Sequence, residues 1–266
     1  FLDADDYYPS SDTLRLLYNK AKTNGALICG GAFSSFRNDG YINTIWPKNL
    51  SGYTFDHEGF IDYKDYQFDF GYHRFLYNRR FLIKNGLFFP PYKRYQDPPF
   101  FVKAMVTAKR FYAVTEVVYR YRTGHQVDPM TWSLEKLHDM MRGCLDNLNI
   151  SRERHLAHLH FLTLQRVENY RERHVMVARV LEGDSEGLNL LCAINNAIDV
   201  KLLVQEGISL NGENNYVLKQ MMDIINVQSS KEEELESLKS SYLKKYELMK
   251  KAHVKVSIVI PSLNSI

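Results

Sequence analysis

The sequence predicts an α/β protein, in which part of a Rossmann-like sheet domain is followed by an α-helical region. Three observations predict it. The opening alternates between the apolar pair "FL", the helix-like "SSDTLRLLYNKAKTNG" and the apolar run "ALICGGAF", the strand–helix–strand rhythm of an α/β sheet. The 18 Tyr and 15 Phe crowd the sequence up to Arg122 and thin out afterwards. Charged, leucine-rich, helix-favouring sequence then takes over, which places a domain boundary at residue 127.

Taken in order, Phe1-Leu2 reads as the end of a strand, with Asp3, Asp5 and Asp6 directly after it. In the helix that follows, Ser10 or Ser11 is the cap and Leu14, Leu17 and Ala21 the buried stripe. Asn24-Gly25 stops it. "ALICGGAF" is a short buried strand. Residues 34–78 are irregular, aromatic and acidic, centred on "DHEGFIDYKDYQFDFGYHRF". "NRRFLIKNG" reads as a short helix ended by Asn85-Gly86, and "LFFPPYKRY" as extended chain. "DPPFFVKAMVTAKR" is a helix with Asp97 as N-cap and Pro98 at its first position. "FYAVTEVVYRYR" is a strand rich in β-branched and aromatic residues.

Residues 128–228 read as helices, among them "SLEKLHDMMRGCLDNL", "RERHLAHLHFLTLQRVENYRERHVMVARVLEG" and "SEGLNLLCAINNAIDVKLLVQEG", with no repeat of fixed period. Residues 229–252 read as a charged linker helix. Ser230 and Glu233 form its capping box, and Leu235, Leu238, Tyr242, Tyr246 and Met249 a narrow apolar seam. Residues 253–266 contain "VSIVIPSLN", an apolar strand ending in Pro-x-x-Asn.

Bulk properties narrow the function classes. At 266 residues the chain is long enough for one or two domains, and its 45% hydrophobic and 24% charged residues are those of an ordinary soluble protein. A net charge of +3 gives no argument for a nucleic-acid partner. No apolar run approaches the roughly 18 residues of a membrane span. Cys29, Cys144 and Cys192 are odd in number and far apart, which suggests a reducing compartment and neither a disulfide framework nor a zinc site.

Two places carry candidate chemistry. On extended chain Asp3 and Asp5 project to the same side, and Asp6 begins a turn. Carboxylates at the C-terminal edge of an open α/β sheet stand where ligands bind, and they suit a hard divalent cation that can neutralise a departing diphosphate. An acidic turn leading into the next helix is the other reading of the same residues. Asp97, at a helix N-terminus that favours its ionised form, could take a proton from a sugar hydroxyl, although a plain capping role explains the local sequence equally. Of His155, His158 and His160, only the first two share a helical face and no carboxylate joins them, so a polar helix face is expected there, not a metal site.

"FLDADD", then "HRFLYNRRFLIKNGLFFPPYKRYQDPPFFVKAM", then "VVYRYRTGH" occur in one order, and the combination resembles the second half of a family 2 glycosyltransferase with the GT-A fold. The resemblance covers residues 1–127. It implies that Asp5 is a direct metal ligand, with Asp3 at the ribose or orienting the metal, and that Asp3, Asp5 and Asp6 form the nucleotide-sugar motif. Asp97 matches the catalytic base, with Gln96 in place of the family's Glu, a departure that touches acceptor positioning more than chemistry. His125 matches a His that completes the metal site in some members. The implied cofactor is Mn²⁺ or Mg²⁺, and the implied partners are a nucleotide-sugar donor, most simply a UDP-sugar, and a saccharide acceptor. The implied reaction is inverting transfer in bacterial surface polysaccharide synthesis, in the cytoplasm at the inner face of the plasma membrane, with peripheral membrane association.

"VSIVIPSLN" looks like the family's first strand, standing at the wrong end. A circular permutation is not expected, because on the order of 90 residues of half-Rossmann layer would have to follow it. The expectation is a slice of a tandem protein: the C-terminal half of one GT-A domain (1–127), a helical region (128–228), a linker helix (229–252) and the first strand of a second domain (253–266). A missing N-terminal half-domain and a downstream domain would complete it, and the chain alone would be inactive. Residues 254–260 are expected to dock beside Phe1-Leu2. Trp46, Tyr53, Phe55, Phe60, Tyr63, Tyr66, Phe68, Phe70 and Tyr72 surround the expected acceptor region, most of them as core. Arg120 and Arg122 could reach a diphosphate or simply cover the sheet. The competing reading is a non-catalytic helical scaffold that links glycosyltransferase domains or recruits a partner. Metal-dependent UDP binding separates the two. A different nucleotidyl or phosphate enzyme would need a Gly-rich phosphate loop or signature Lys, and neither is in the sequence.

Overall fold

A computed structural model describes residues 1–43, 52–124, 131–167 and 170–206, and beyond them residues 237, 240, 241, 243–245, 247 and 248. His125, Trp46, the capping box and seam of the linker helix, and the strand at 253–266 lie outside the described residues. The chain divides into two compact units, Phe1–Thr131 and Trp132–Ile266.

The first unit is built on a mixed sheet. Helix α1 (Thr13–Asn24) leads to β1 (Ile28–Phe36), followed by β2 (Ile42–Asn43), β3 (Gly59–Asp62), the short α2 (Tyr63–Tyr66), a 3-10 turn (Tyr72–Arg74), β4 (Phe75–Tyr77), α3 (Arg79–Lys84), α4 (Asp97–Ala108) and β5 (Arg110–Arg122). The sheet order is β2-β1-β5-β3, with β4 also on β1. β1 and β5 run parallel at the centre and every other pair is antiparallel.

β1 is buried almost throughout, as a strand covered on both faces must be, which is why its sequence is apolar without alternation. On one face Leu17 of α1 meets Cys29, Tyr112, Val114 and Val118, with Leu16, Ala21 and Ala26 around them. Leu14, expected in that stripe, is exposed, and Leu16 takes the inner position. Gly25 at φ 62 ends α1 in the left-handed conformation, as its sequence predicts. Along β5 side chains alternate, so Phe111 faces away from Tyr112, into rings from Phe55, Tyr66 and Phe75. Gly30 and Gly31 sit where the β1–β5 register shifts. A Cβ on Gly30 would strike the Phe75 ring, and one on Gly31 would strike Val118 and the Glu116 carbonyl, so β4 and β5 close on β1 only because both are glycine.

Arg74 is buried inside this aromatic layer. Its guanidinium donates to the Gly31 carbonyl (3.1 Å), to the Gly52 carbonyl and to the Tyr66 hydroxyl, and lies 4.8 Å from the Phe55 ring centre. It ties the irregular loop to β1 and places Tyr53 in a stack on Phe33 at 4.5 Å.

The second unit is helical: α5 (Leu134–Arg154), α6 (Ala157–Val167), α7 (Tyr170–Leu181), α8 (Ser185–Ala197) and α9 (Val200–Gln205). The stretch from Arg152 to Gly183 reads in sequence as one long helix, and the structure divides it. His155 takes a left-handed conformation at φ 53, and the Leu156 amide returns to the Ser151 carbonyl at 2.8 Å, a helix-ending closure. The break turns Leu159 and His160 of α6 into the interior. Asp184 caps α8 by accepting from the Gly187 amide (2.9 Å), and its other oxygen meets His138 of α5 at 2.8 Å. Arg142 of α5 pairs with Asp139 and with Glu186 of α8. Among the described residues no helix is long and apolar enough to cross a membrane.

Candidate active site

The acidic turn lies at the C-terminal end of the central strands. Phe1 and Leu2 are half exposed and not in a strand, contrary to expectation, since no described strand pairs with them. The first sheet contact is the bridge between Tyr7 and Arg120 near the end of β5. Between them the Asp6 amide donates to the Asp3 carbonyl (3.2 Å), closing the turn.

The three carboxylates are placed differently. Asp6 is buried, accepting from the Arg122 amide at 2.8 Å and from the Tyr119 hydroxyl at 2.7 Å. Burial raises its pKa, and the bonds from Arg122 and Tyr119 offset part of that rise. Both its oxygens serve the sheet, so its visible work is to anchor the turn. The Tyr119 hydroxyl also accepts from the Asp3 amide at 3.1 Å, which fixes Asp3 from behind. Asp3 itself is exposed and Asp5 partly so, at the edge where α/β sheets bind ligands.

Asp97 comes from a different part of the chain and is drawn to the same place. It occupies the first position of α4, and Gln96 precedes it as an N-cap without a side-chain bond. The helix thus begins one residue earlier than predicted, with the prolines in its first turn, where no amide is needed. Tyr95 just before it adopts φ 64, rare for an aromatic residue, and its hydroxyl donates to Asp69 at 3.3 Å. Phe100, one turn into α4, stacks on Phe89 at 4.2 Å and meets Phe1 at 5.6 Å.

Tyr72 joins these groups. Its hydroxyl donates to Asp3 Oδ1 at 3.4 Å. Its pKa is pushed up, first by burial and then by the negative charges of Asp3, Asp97 and Asp6. One phenol therefore stands within electrostatic reach of three of the carboxylates named from sequence.

Beneath it lies His73, in the 3-10 turn. Its ring is 4.0 Å from that of Tyr119, 5.2 Å from Tyr72, 5.4 Å from Phe33 and 5.9 Å from Tyr121, centre to centre. Among the described residues neither ring nitrogen has a hydrogen-bond partner. Burial, with Arg74 next door, depresses its pKa to about 3, so the imidazole is neutral. Sequence reasoning did not single out His73 or Tyr119. The available signal was a histidine inside "FGYHRFLY", where aromatic neighbours leave it little access to water.

Of the aromatics expected around an acceptor, Phe55, Tyr63, Tyr66 and Phe68 are core, and Tyr72 is at the site. Phe60 lies under Arg110 at 4.2 Å. Arg120 donates to the Tyr7 hydroxyl (3.1 Å), and Arg122 sits 5.8 Å from the Phe36 ring centre, so both cover aromatic rings.

No protein-family model matches the chain, and no curated protein matches its sequence. Solved structures do resemble it. A crystal structure of residues 1–349 of S. aureus TarS, in complex with UDP-GlcNAc, superposes with a TM-score of 0.54 at 15% identity, covering 98% of this chain and 70% of that one. A second TarS crystal structure gives 0.55 at 15% identity, over 97% of this chain and 41% of that one. TarS is a glycosyltransferase. The fold is that of a GT-A-like glycosyltransferase.

In a GT-A-like frame the donor set can be tested for a metal. Among the described residues no three His, Cys, Asp or Glu side chains are arranged to hold a cation. Mg²⁺, and Mn²⁺ with its similar preference for oxygen, need fewer protein ligands: one or two carboxylates, completed by waters and substrate phosphates. Asp3, exposed, and Asp5, partly exposed, fit that pattern. Asp6, with both oxygens taken by the sheet, adds no open ligand position.

Proposed function

We propose that this chain carries the catalytic edge of a nucleotide-sugar glycosyltransferase, one that moves a sugar from a UDP-sugar to a saccharide hydroxyl with inversion. The observation that carries the reading is that Asp3, bonded to the Tyr72 hydroxyl, and Asp97, distant in sequence, both act electrostatically on that one phenol at the C-terminal edge of a GT-A-like sheet. TarS, of the same fold, was crystallised with UDP-GlcNAc.

Asp5 and Asp3 would hold Mn²⁺ or Mg²⁺, which supplies, when bound, neutralisation of the departing diphosphate. Asp97 accepts the proton of the acceptor hydroxyl. It stands in the first turn of α4, where the helix dipole favours negative charge, and an ordinary carboxylate is basic enough if the proton moves late. The acceptor oxygen bonds to the anomeric carbon as the bond to the diphosphate breaks on the opposite face, and its proton passes to Asp97 as the new bond forms. Tyr72 orients Asp3 by its hydrogen bond, and Asp6 holds the turn that presents both ligands. A bacterial surface glycan as product, with work at the inner face of the plasma membrane, completes the proposal.

The test is calorimetric titration of the chain with UDP-GlcNAc, with and without Mn²⁺. Binding should require the metal and weaken about tenfold or more in D5N, as loss of a charged ligand predicts. Metal-independent binding, or none, overturns the reading. Absence of binding would favour the scaffold role, to which the helical unit, compact by itself, is suited.

A further inference from the structure

His73 is a polar residue doing an apolar residue's packing. The residue is 9% exposed, both ring nitrogens are buried, and neither is bonded among the described residues. An orphaned buried polar group costs about 1–3 kcal/mol, and phenylalanine would fill the same slot between aromatic rings without that cost.

The surrounding rings differ in freedom. Phe33 is buried in β1, and Tyr119 is held by Asp6 and by the Asp3 amide. Tyr72 covers the imidazole from the side of the acidic turn, its own ring packed on Phe1 at 5.6 Å and Phe89 at 5.5 Å. It is only half-buried, and its hydroxyl makes one hydrogen bond, to Asp3 at 3.4 Å, long for an O–H···O contact. A ligand that takes up the Asp3 carboxylate would compete for that bond and leave Tyr72 held over the imidazole by ring contacts alone.

We propose that His73 is a substrate-binding residue, one of whose ring nitrogens hydrogen-bonds a hydroxyl or amide of the sugar moiety once Tyr72 has moved. The inference rests on the nucleotide-sugar reading above and names which part of that substrate His73 meets. A neutral imidazole walled by aromatic rings suits the uncharged, partly apolar face of a sugar. A diphosphate would call for cationic donors instead.

The chain and its H73F and H73N variants would be titrated with UDP and with UDP-GlcNAc, each with Mn²⁺, while the His73 ring ¹⁵N shifts are followed by NMR. Loss of one hydrogen bond predicts that H73F weakens UDP-GlcNAc about tenfold. UDP should change by less than about twofold, and H73N should recover most of the loss. The ring shift should move with UDP-GlcNAc and stay still with UDP. If both ligands bind and H73F weakens neither, or weakens both alike with a static ring shift, the His73 assignment is wrong and the donor reading stands. If the wild-type chain binds neither, the donor reading fails and takes the assignment with it.

Discussion

His160 and His73 are both buried and both held neutral, one in each unit, yet their surroundings differ. His160 Nε2 accepts from the Asp199 amide at 2.9 Å, and its Nδ1 meets Ser151 Oγ at 2.7 Å. Because Nε2 accepts, the proton belongs on Nδ1, which donates to Ser151, whose hydroxyl passes its own proton to the Leu148 carbonyl at 2.9 Å. Every polar atom is used, and the chain joins the end of α5, the body of α6 and the start of α9. His73 is also buried, and among the described residues it has none of these bonds. In the helical unit a buried histidine is a structural tie; under the acidic turn it is a group left open. Burial therefore does not distinguish the two roles, whereas satisfaction of hydrogen bonds does.

The comparison can be broken most sharply at His160. His160→Ala removes two hydrogen bonds and leaves a cavity, and should destabilise the helical unit by about 2–5 kcal/mol. Hydrogen exchange resolved by unit is the measurement, since two units need not unfold as one. A loss below about 1 kcal/mol would mean the tie is not structural.

The pH response comes next in size. Burial first, with Arg152 and Lys245 adding to it against the pull of Asp199, lowers the His160 pKa from 6.5 to about 4. The folded state thus refuses a proton that the unfolded chain accepts below 6.5. Stability is full above that value and falls as pH drops towards 4, by about 1.4 kcal/mol per pH unit, then levels off below it. His160→Gln should remove this slope from the helical unit, read by hydrogen exchange resolved by unit across the window, and leave the slope that His73 gives the aromatic unit. An unchanged slope would assign the effect to other groups.

His73→Phe should have the opposite sign. Replacing two orphaned nitrogens by carbon should leave the aromatic unit's stability unchanged or raise it by about 1 kcal/mol, while donor affinity falls. A melting-temperature drop would instead place His73 among the structural ties. The smallest effect is at the surface, where Lys20 bonds Glu58 at 2.7 Å and Glu58 accepts from Tyr112 at 2.7 Å. Lys20→Met should lower stability only slightly, less in high salt, and leave donor binding alone, as thermal melts at two salt concentrations would read.

Much of this molecule was legible from local pattern. The buried run at Ile28 and the Tyr/Phe-rich run at Arg110 are strands, and Asn24-Gly25 and Asn85-Gly86 end helices, because those signals depend on few residues. The illegible parts depended on partners. Leu14 and Leu16 are equally apolar, and only the position of β1 decides which is buried. No propensity marks His155 as a helix end. Burial of Leu156 and Leu159 favours the break there. Phe1-Leu2 reads as a strand, but a strand needs a neighbour to pair with.

By itself the sequence determined the α/β-then-helical layout, the carboxylates Asp3, Asp5, Asp6 and Asp97 as candidates, and their resemblance to a glycosyltransferase edge. These rest on residue type and short-range order, which the chain carries into any fold. Only the tertiary structure decided that Asp6 turns inward while Asp3 is exposed and Asp5 partly so, that Tyr72 bonds Asp3 within electrostatic reach of Asp97, and that His73 lies beneath Tyr72 without a hydrogen-bond partner among the described residues. Hydrogen-bond satisfaction and the addition of charges are properties of distances in space, and those distances are set by β1 and β5 lying side by side.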